Sequence, residues 1–317
     1  MTELRTDYLT GSRVVIAPIR EDRPMGFEQK IISEEASEIA CPFCIGNEHM
    51  TPGIIKQNGD VWVTPNLYPA FEAGSISGFG RHEIVIDTSN HSDKLHHLSA
   101  EQISDALMML KDRYLDFTED KRIEQVQVFK NVGMTSGASI PHSHWQVVGI
   151  PFVPDLHRLM LWNFAKYKEQ SGGCYLCSVK KELIIYKNSE TTTYAPYASP
   201  FSYMLNILPK EHISNIGQLS KETSAALGDA LKTSLSALVG LFFEKELNYN
   251  ILIYSSPPYE TDSDKWHLYL QIVPRLGFLG GYEIATGCYI NSVTPEDAAK
   301  RLRKEVTLLT GEHIFYG

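Results

Sequence analysis

An α+β fold made of two similar halves, residues 1–160 and 161–317, is predicted for this chain on three observations. Four of the five cysteines fall in two C-x-x-C pairs, Cys41/Cys44 and Cys174/Cys177. After each pair the same order recurs: strand-like runs, a lone histidine, one long helix, a strand, and a last strand carrying histidine. That last strand reads His142-Ser143-His144-Trp145-Gln146 in the first half and His267-Leu268-Tyr269-Leu270-Gln271 in the second. A repeat of two copies is short, so the ordered recurrence of cysteines and histidines carries the prediction.

In the first half, a polar turn around Leu9-Thr10-Gly11-Ser12 precedes the apolar run Val14–Ala17. The proline-bounded loop Pro18–Pro24 follows, with Arg20 and Arg23. These two arginines can grip a phosphate or nucleotide, or form loose surface ion pairs with Glu21 and Asp22. Cys41-Pro42-Phe43-Cys44-Ile45-Gly46 reads as a knuckle-like turn, where proline and glycine permit the tight backbone. Val61–Thr64 reads as a strand closed by Pro65-Asn66, and Gly80–Asp87 as a second, with His91 just beyond. Leu98 to about Thr118 has helical spacing, with Ser99 as N-cap. Val126–Asn131 is a strand, and the histidine strand Ile140–Pro151 follows a loop rich in small residues.

Residues 152–172 read as a helical connector ending at Gly172-Gly173. Strands are then expected near Leu183–Tyr186 and Ser202–Leu208, followed by His212 and a helix from about Lys221 to Lys245. Tyr249–Tyr254 and Trp266–Arg275 are the closing strands. A final helix begins after Thr294, which can N-cap it, with Pro295 at the first helical position.

The composition is that of an ordinary globular protein, 43% hydrophobic and 21% charged. A net charge of −9 without a long basic run argues against nucleic-acid or anionic-membrane binding. Any phosphate ligand therefore needs a locally basic pocket. No apolar run approaches membrane-spanning length and no signal-peptide pattern is present, so a cytoplasmic protein is expected.

Successive side chains of an extended strand face opposite sides. His142, His144 and Gln146 thus share one face, and Ser143, Trp145 and Val147 the other. Two imidazoles and an amide in line, beside a loop offering backbone N–H groups, can hold an anion and attack it. They are equally two satisfied histidines on a half-buried strand. The cysteine pairs bear on this choice. In a reducing compartment C-x-x-C suggests metal or redox chemistry before a structural disulfide. Cys41, Cys44, His91 and His142 make one Cys₂His₂ set; Cys174, Cys177, His212 and His267 make the other. Such sets suit closed tetrahedral zinc, two structural ions per chain, with no open position for catalytic water. A metal on His142 would fix the strand that presents His144.

With these residues in view, the chain resembles, along nearly its whole length, the galactose-1-phosphate uridylyltransferase branch of the histidine-triad superfamily. That branch includes nucleotide-sugar phosphorylases. The family's His-Pro-His-Gly-Gln corresponds to His142-Ser143-His144-Trp145-Gln146. The resemblance implies that His142 is a zinc ligand, His144 the nucleophile, and Gln146 a phosphate contact. It places the family's paired arginines on Arg20 and Arg23, its nucleotide-contacting asparagines on Asn66 and Asn131, and on Ser139 a catalytic serine that, with Gln146, would stabilise charge on the phosphoryl oxygens. Its sugar-binding segment falls on Gly281-Tyr282-Glu283, so Tyr282 and Glu283 are candidate sugar contacts supplied to a partner in a homodimer. The implied fold is a pair of antiparallel half-barrel sheets, each with a long helix. The implied reaction is nucleotidyl transfer from a nucleoside diphosphate sugar to a sugar phosphate through a covalent nucleotidyl-histidine, as in the UDP-hexose uridylyltransferases. An ADP-glucose phosphorylase-like or hydrolytic enzyme using the same histidine, and a non-catalytic nucleotide-binding protein, are the alternatives. Three departures matter. Trp145 replaces a small residue and should pack away from the active face. Tyr269 cannot act as an imidazole nucleophile, so the second half should be structural. Gly277 replaces a sugar-binding lysine, which leaves the hexose open.

Overall fold

Strands of alternating burial assemble into one continuous antiparallel sheet, with the two longest helices packed together on one face. The structure, a computed structural model, describes residues 2–21, 41–243, 246–260, 262 and 265–311. Its elements in chain order are β1 (Glu3–Thr6), β2 (Arg13–Ile16), β3 (Lys56–Asn58), β4 (Val61–Pro65), β5 (Arg81–Ile86), α1 (Ala100–Glu119), β6 (Gln125–Val132), β7 (His144–Ile150) and α2 (Asp155–Ser171). There follow β8 (Ile184–Lys187), β9 (Thr191–Tyr194), β10 (Leu205–Pro209), α3 (Lys221–Leu241), β11 (Tyr249–Tyr254), β12 (Tyr269–Pro274), α4 (Gly281–Thr286), β13 (Tyr289–Asn291) and α5 (Pro295–Thr310).

The large sheet has ten strands in the order β3-β4-β5-β7-β6-β11-β12-β10-β9-β8. Read inward from either edge, three strands come in chain order and the next two are exchanged. The two sets meet at β6 and β11, where Asn131 pairs with Asn250. The strands of the two halves thus form one sheet rather than two separate ones. A small second sheet, β1-β2-β13, joins the amino-terminal hairpin to the carboxy-terminal region, with β13 parallel to β2. Residue 160 falls inside α2. Among the described residues no helix is long and apolar enough to cross a membrane.

Local chemistry explains the helix ends. Ser99 forms a capping box on α1: its Oγ accepts from Gln102 N–H at 3.1 Å, and Gln102 Oε1 accepts from Ser99 N–H at 2.8 Å. Ser220 and Thr294 cap α3 and α5 by accepting from Thr223 N–H and Asp297 N–H, each at 3.0 Å. Gly172 closes α2 in the left-handed region, at φ 72°. Helix α3 ends at Leu241, short of the Lys245 expected from the sequence; Gly240 and the aromatic pair Phe242-Phe243 extend a helix poorly. Helix α1 crosses the first half of the sheet and α3 the second, and the two pack together. A Cβ at Gly228 would strike the Ala100 carbonyl, so only glycine allows that approach.

The histidine strand begins at His144, not at Ile140. Pro141 has no N–H to give the ladder, so His142 lies just outside it. His267 stands likewise before β12. The predicted faces hold. Trp145 and Val147 are buried in the core against the helices, while His144 packs against Phe43 on the other side.

Beneath β7 lies a fully buried ion pair. Lys130 Nζ of β6 donates to Asp87 Oδ2 at 2.7 Å, to Ser143 Oγ at 2.8 Å and to the His144 carbonyl at 3.1 Å. Trp145 Nε1 donates to the same Asp87 oxygen at 2.9 Å. Burial lowers the lysine pKa, and the aspartate opposes that shift. Breaking such a pair from one side leaves a naked buried charge and costs about 3–5 kcal/mol, whereas removing both sides costs far less. Lys130→Met and Asp87→Leu are each expected to destabilise the chain by roughly that amount, and the double variant by no more than the worse single. Chemical denaturation tests this; additive losses would mean that the two charges do not support one another.

Candidate active site

Both Cys₂His₂ sets come together. In each, the four ligand atoms lie within 4.8 Å of one another. His142 Nδ1 is 3.6 Å from the sulfurs of both Cys41 and Cys44, and His91 Nδ1 is 3.3 Å from Cys44 Sγ. In the second set His267 Nδ1 is 3.7 Å from Cys174 Sγ and 3.6 Å from Cys177 Sγ, and His212 Nε2 is 3.2 Å from Cys177 Sγ. Around a tetrahedral zinc, bonds of about 2.3 Å to sulfur and 2.0–2.1 Å to nitrogen place ligands roughly 3.6 Å apart. The observed spacings match. Each anchoring histidine also has its outer nitrogen on a carbonyl: His142 Nε2 on Thr88 O at 2.8 Å, His267 Nε2 on Glu211 O at 3.2 Å. That fixes the tautomer and leaves Nδ1 as the ligand atom. Both sets can therefore hold a metal ion.

His144 is buried at the start of β7. Its Nδ1 is 2.8 Å from the His142 carbonyl. A carbonyl can only accept, so Nδ1 carries the hydrogen and Nε2 keeps its lone pair. Burial lowers the pKa to about 4, which holds the ring neutral near pH 7. Phe43, the middle of the first cysteine loop, packs on the ring with centroids 5.1 Å apart. The loop that carries the two thiols thus also positions the imidazole.

On the same face, Gln146 Oε1 accepts from His82 Nε2 at 2.9 Å. The other nitrogen of His82 accepts from Ala70 N–H at 3.2 Å. Asn66 Nδ2 lies 3.4 Å from the same accepting Nδ1, and its Oδ1 accepts from Tyr68 N–H. His82 therefore links Asn66 to Gln146, a role the sequence did not disclose; the available signal was its even spacing from Ile84 and Ile86 along β5. Asn131 Oδ1 accepts from Asn250 Nδ2 at 2.8 Å, and the same amide donates to Ser136 O at 2.9 Å. Asn66, His82, Gln146, His144 and Asn131 thus occupy three neighbouring strands and the end of β4.

The remaining sequence candidates are less closely joined. Ser139 is exposed on the loop before β7, and its hydroxyl bonds to none of the described residues. Three N–H groups of that loop, expected to face an anion, are engaged within it: Ser136 and Ala138 donate to Gly133 O, and Gly137 to Met134 O. The turn needs left-handed backbone at Gly133 (φ 81°) and Gly137 (φ 88°), and this folds those donors inward. Arg20 is exposed at the end of a 3₁₀ turn. The anticipated partner Glu21 pairs instead with Arg301, at 2.8 Å. Arg23 lies outside the described residues. Tyr282 is exposed on α4, and Glu283 accepts from Gly280 N–H at its own helix start. Neither side chain bonds to a described residue of the first half.

Residues 26–153 match a family described as domain of unknown function (DUF4931), N-terminal domain. The chain is 37% identical to an ADP-glucose phosphorylase of Arabidopsis thaliana, over 96% of this chain and 93% of that protein. It is 27% identical to a galactose-1-phosphate uridylyltransferase of Thermotoga maritima, over 96% and 98%. A crystal structure of the Arabidopsis thaliana ADP-glucose phosphorylase with bound ADP-glucose matches with a TM-score of 0.87 at 34% identity, covering 96% of this chain and 98% of that one.

Proposed function

The chain belongs to the galactose-1-phosphate uridylyltransferase-like family, and from that premise we propose that it is a nucleotidyltransferase that cleaves a nucleoside diphosphate sugar through His144. The observation that carries this reading is the 2.8 Å contact from His144 Nδ1 to the His142 carbonyl, which leaves Nε2 unprotonated. The Nε2 lone pair attacks the α-phosphorus. An N–P bond forms, the bond from that phosphorus to the bridging oxygen breaks, and sugar 1-phosphate leaves. An oxygen of the acceptor then attacks the same phosphorus and releases the imidazole. Gln146 and Ser139 contact the phosphoryl oxygens, Arg20 and Arg23 the nucleotide phosphates, and Asn66 and Asn131 the nucleotide. Orthophosphate is favoured over hexose 1-phosphate as acceptor, and ADP-glucose as donor. The support is the stronger identity to the ADP-glucose phosphorylase, 37% against 27%.

We read the mirrored strand order as an old duplication, with units 1–160 and 161–317 and a second unit that is structural and sugar-binding. Zinc is the ion that suits both Cys₂His₂ sets, where it would supply a closed structural tie. The protein acts as a cytoplasmic homodimer in which Tyr282 and Glu283 reach the partner's site. Support comes from their exposure and from the lack of bonds to the described residues of their own first half.

Incubated with ADP-glucose alone, the chain is expected to gain the mass of one AMP, in an acid-labile and base-stable adduct. Orthophosphate should discharge it as ADP. Discharge only by hexose 1-phosphate would mark the transferase, and discharge by water the hydrolase. His144→Gln should form no adduct and lose roughly 10⁴-fold or more of turnover; near-normal turnover would place the active site elsewhere.

Elemental analysis is expected to find two zinc ions per chain. Cys44→Ser should lose one along with activity, because His142 also holds His144, while Cys177→Ser should lose one with a fall mainly in stability. Purified protein without zinc would count against both sets.

Mixed and re-associated His144→Ala and Glu283→Ala chains should recover part of the activity that neither has alone. A strictly monomeric active enzyme would remove the shared site.

A further inference from the structure

A cavity of about 520 Å³ lies on the second half of the sheet. That is ample for a small-molecule ligand. Strand register places it over the counterpart of the His144 position. Gln271 of β12 pairs with Leu252 of β11, just as Gln146 of β7 pairs with Phe129 of β6. Tyr269 then stands where His144 stands. Both Tyr269 and Gln271 line the cavity, together with Tyr254 and Arg275.

The lining carries polar groups that await a partner. Tyr269 is only 3% exposed, yet its hydroxyl bonds to none of the described residues. Its oxygen keeps a little accessible surface and can take a ligand or water from the cavity that it lines. Its ring stacks on Tyr254, with centroids 4.6 Å apart and planes 11° from parallel. Gln271 Nε2 donates to Asn206 Oδ1 at 3.0 Å and Asn206 Nδ2 to the Tyr194 hydroxyl at 3.3 Å, so the amides are held in place while the Gln271 carbonyl bonds to none of the described residues. Among the charged lining residues, Asp7 is engaged by Thr10, while Arg275 and Lys180 supply positive charge. Aromatic rings, amides aimed at a ring edge, and cations beside them are the groups that hold a base and its phosphate.

We propose that this cavity is a second nucleotide site, which binds a nucleoside 5′-phosphate without reacting with it. The base lies against the tyrosines with its edge at Tyr269 and Gln271, and the phosphate lies toward Arg275. Tyr269 offers no imidazole, so no covalent step follows. The choice of ligand class rests on the function proposed above, because the two halves present the same sheet face. Equilibrium dialysis of the full chain against AMP tests it. Two AMP per chain are expected. Leu156→Trp, which fills the cavity from α2, and Gln271→Leu should each reduce the count to one; Leu156→Trp should retain transfer from ADP-glucose. A single AMP that survives both substitutions overturns the second site. Failure of the transfer reading looks different: no adduct forms with ADP-glucose, while an AMP sensitive to Leu156→Trp is still bound.

Discussion

One backbone carbonyl, that of His142, joins the first Cys₂His₂ set to the imidazole of His144. The ring of His142 faces Cys41 and Cys44 through Nδ1, and its carbonyl accepts from His144 Nδ1. A shift of the cysteine loop must therefore move the group that orients His144. From the helix side, Lys130 donates to Ser143 and to the His144 carbonyl, so the entry to β7 is held from both faces of the sheet. Phe43 closes the third side. The proposed in-line attack on phosphorus gains from such preorganisation, since a displacement of about 1 Å can cost about 100-fold in rate.

The second half serves as an internal control for the buried ion pair. By strand register the counterparts of Lys130, Asp87 and Trp145 are Ile253, Pro209 and Leu270, all apolar and buried. The same sheet position is thus filled by hydrocarbon where Tyr269 stands in place of His144. Apolar replacements of buried ion pairs are commonly as stable as the originals or more so. Stability alone therefore gives no reason for the charged version. Its association with the half that keeps His144 points to positioning: three donor contacts from one ammonium fix the backbone on which the imidazole hangs.

Ligand chemistry and period-two alternation are local properties, and both were legible. All eight cysteine and histidine ligands, the two faces of the histidine strand and the caps at Ser99 and Thr294 could be read from the chain alone. What escaped was non-local. Strands β3, β9 and β13 have three or four residues each, too few for a pattern, and exist only through their neighbours. The join of β6 to β11 depends on edge pairing between residues 119 positions apart, such as Asn131 and Asn250. His82 gains meaning only beside Gln146 on the adjacent strand. The loop before β7 was readable as glycine-rich, but not the inward turn that engages three of its N–H groups.

That inward turn changes how charge must be handled at His144. Lys130, the nearest cation in the buried network, faces the opposite side of the sheet and is neutralised by Asp87. The N–H groups of residues 136–138 are occupied. In the proposed mechanism, charge on the phosphoryl oxygens is then left to Gln146, to the Ser139 hydroxyl and to the candidate arginines Arg20 and Arg23. In a net-acidic chain the proposed grip relies chiefly on neutral donors. Such a grip suits a double displacement. The proposed nucleotidyl-histidine must be broken as readily as it is made, and a site that bound such an intermediate much more tightly than the two transition states around it would slow its own second step.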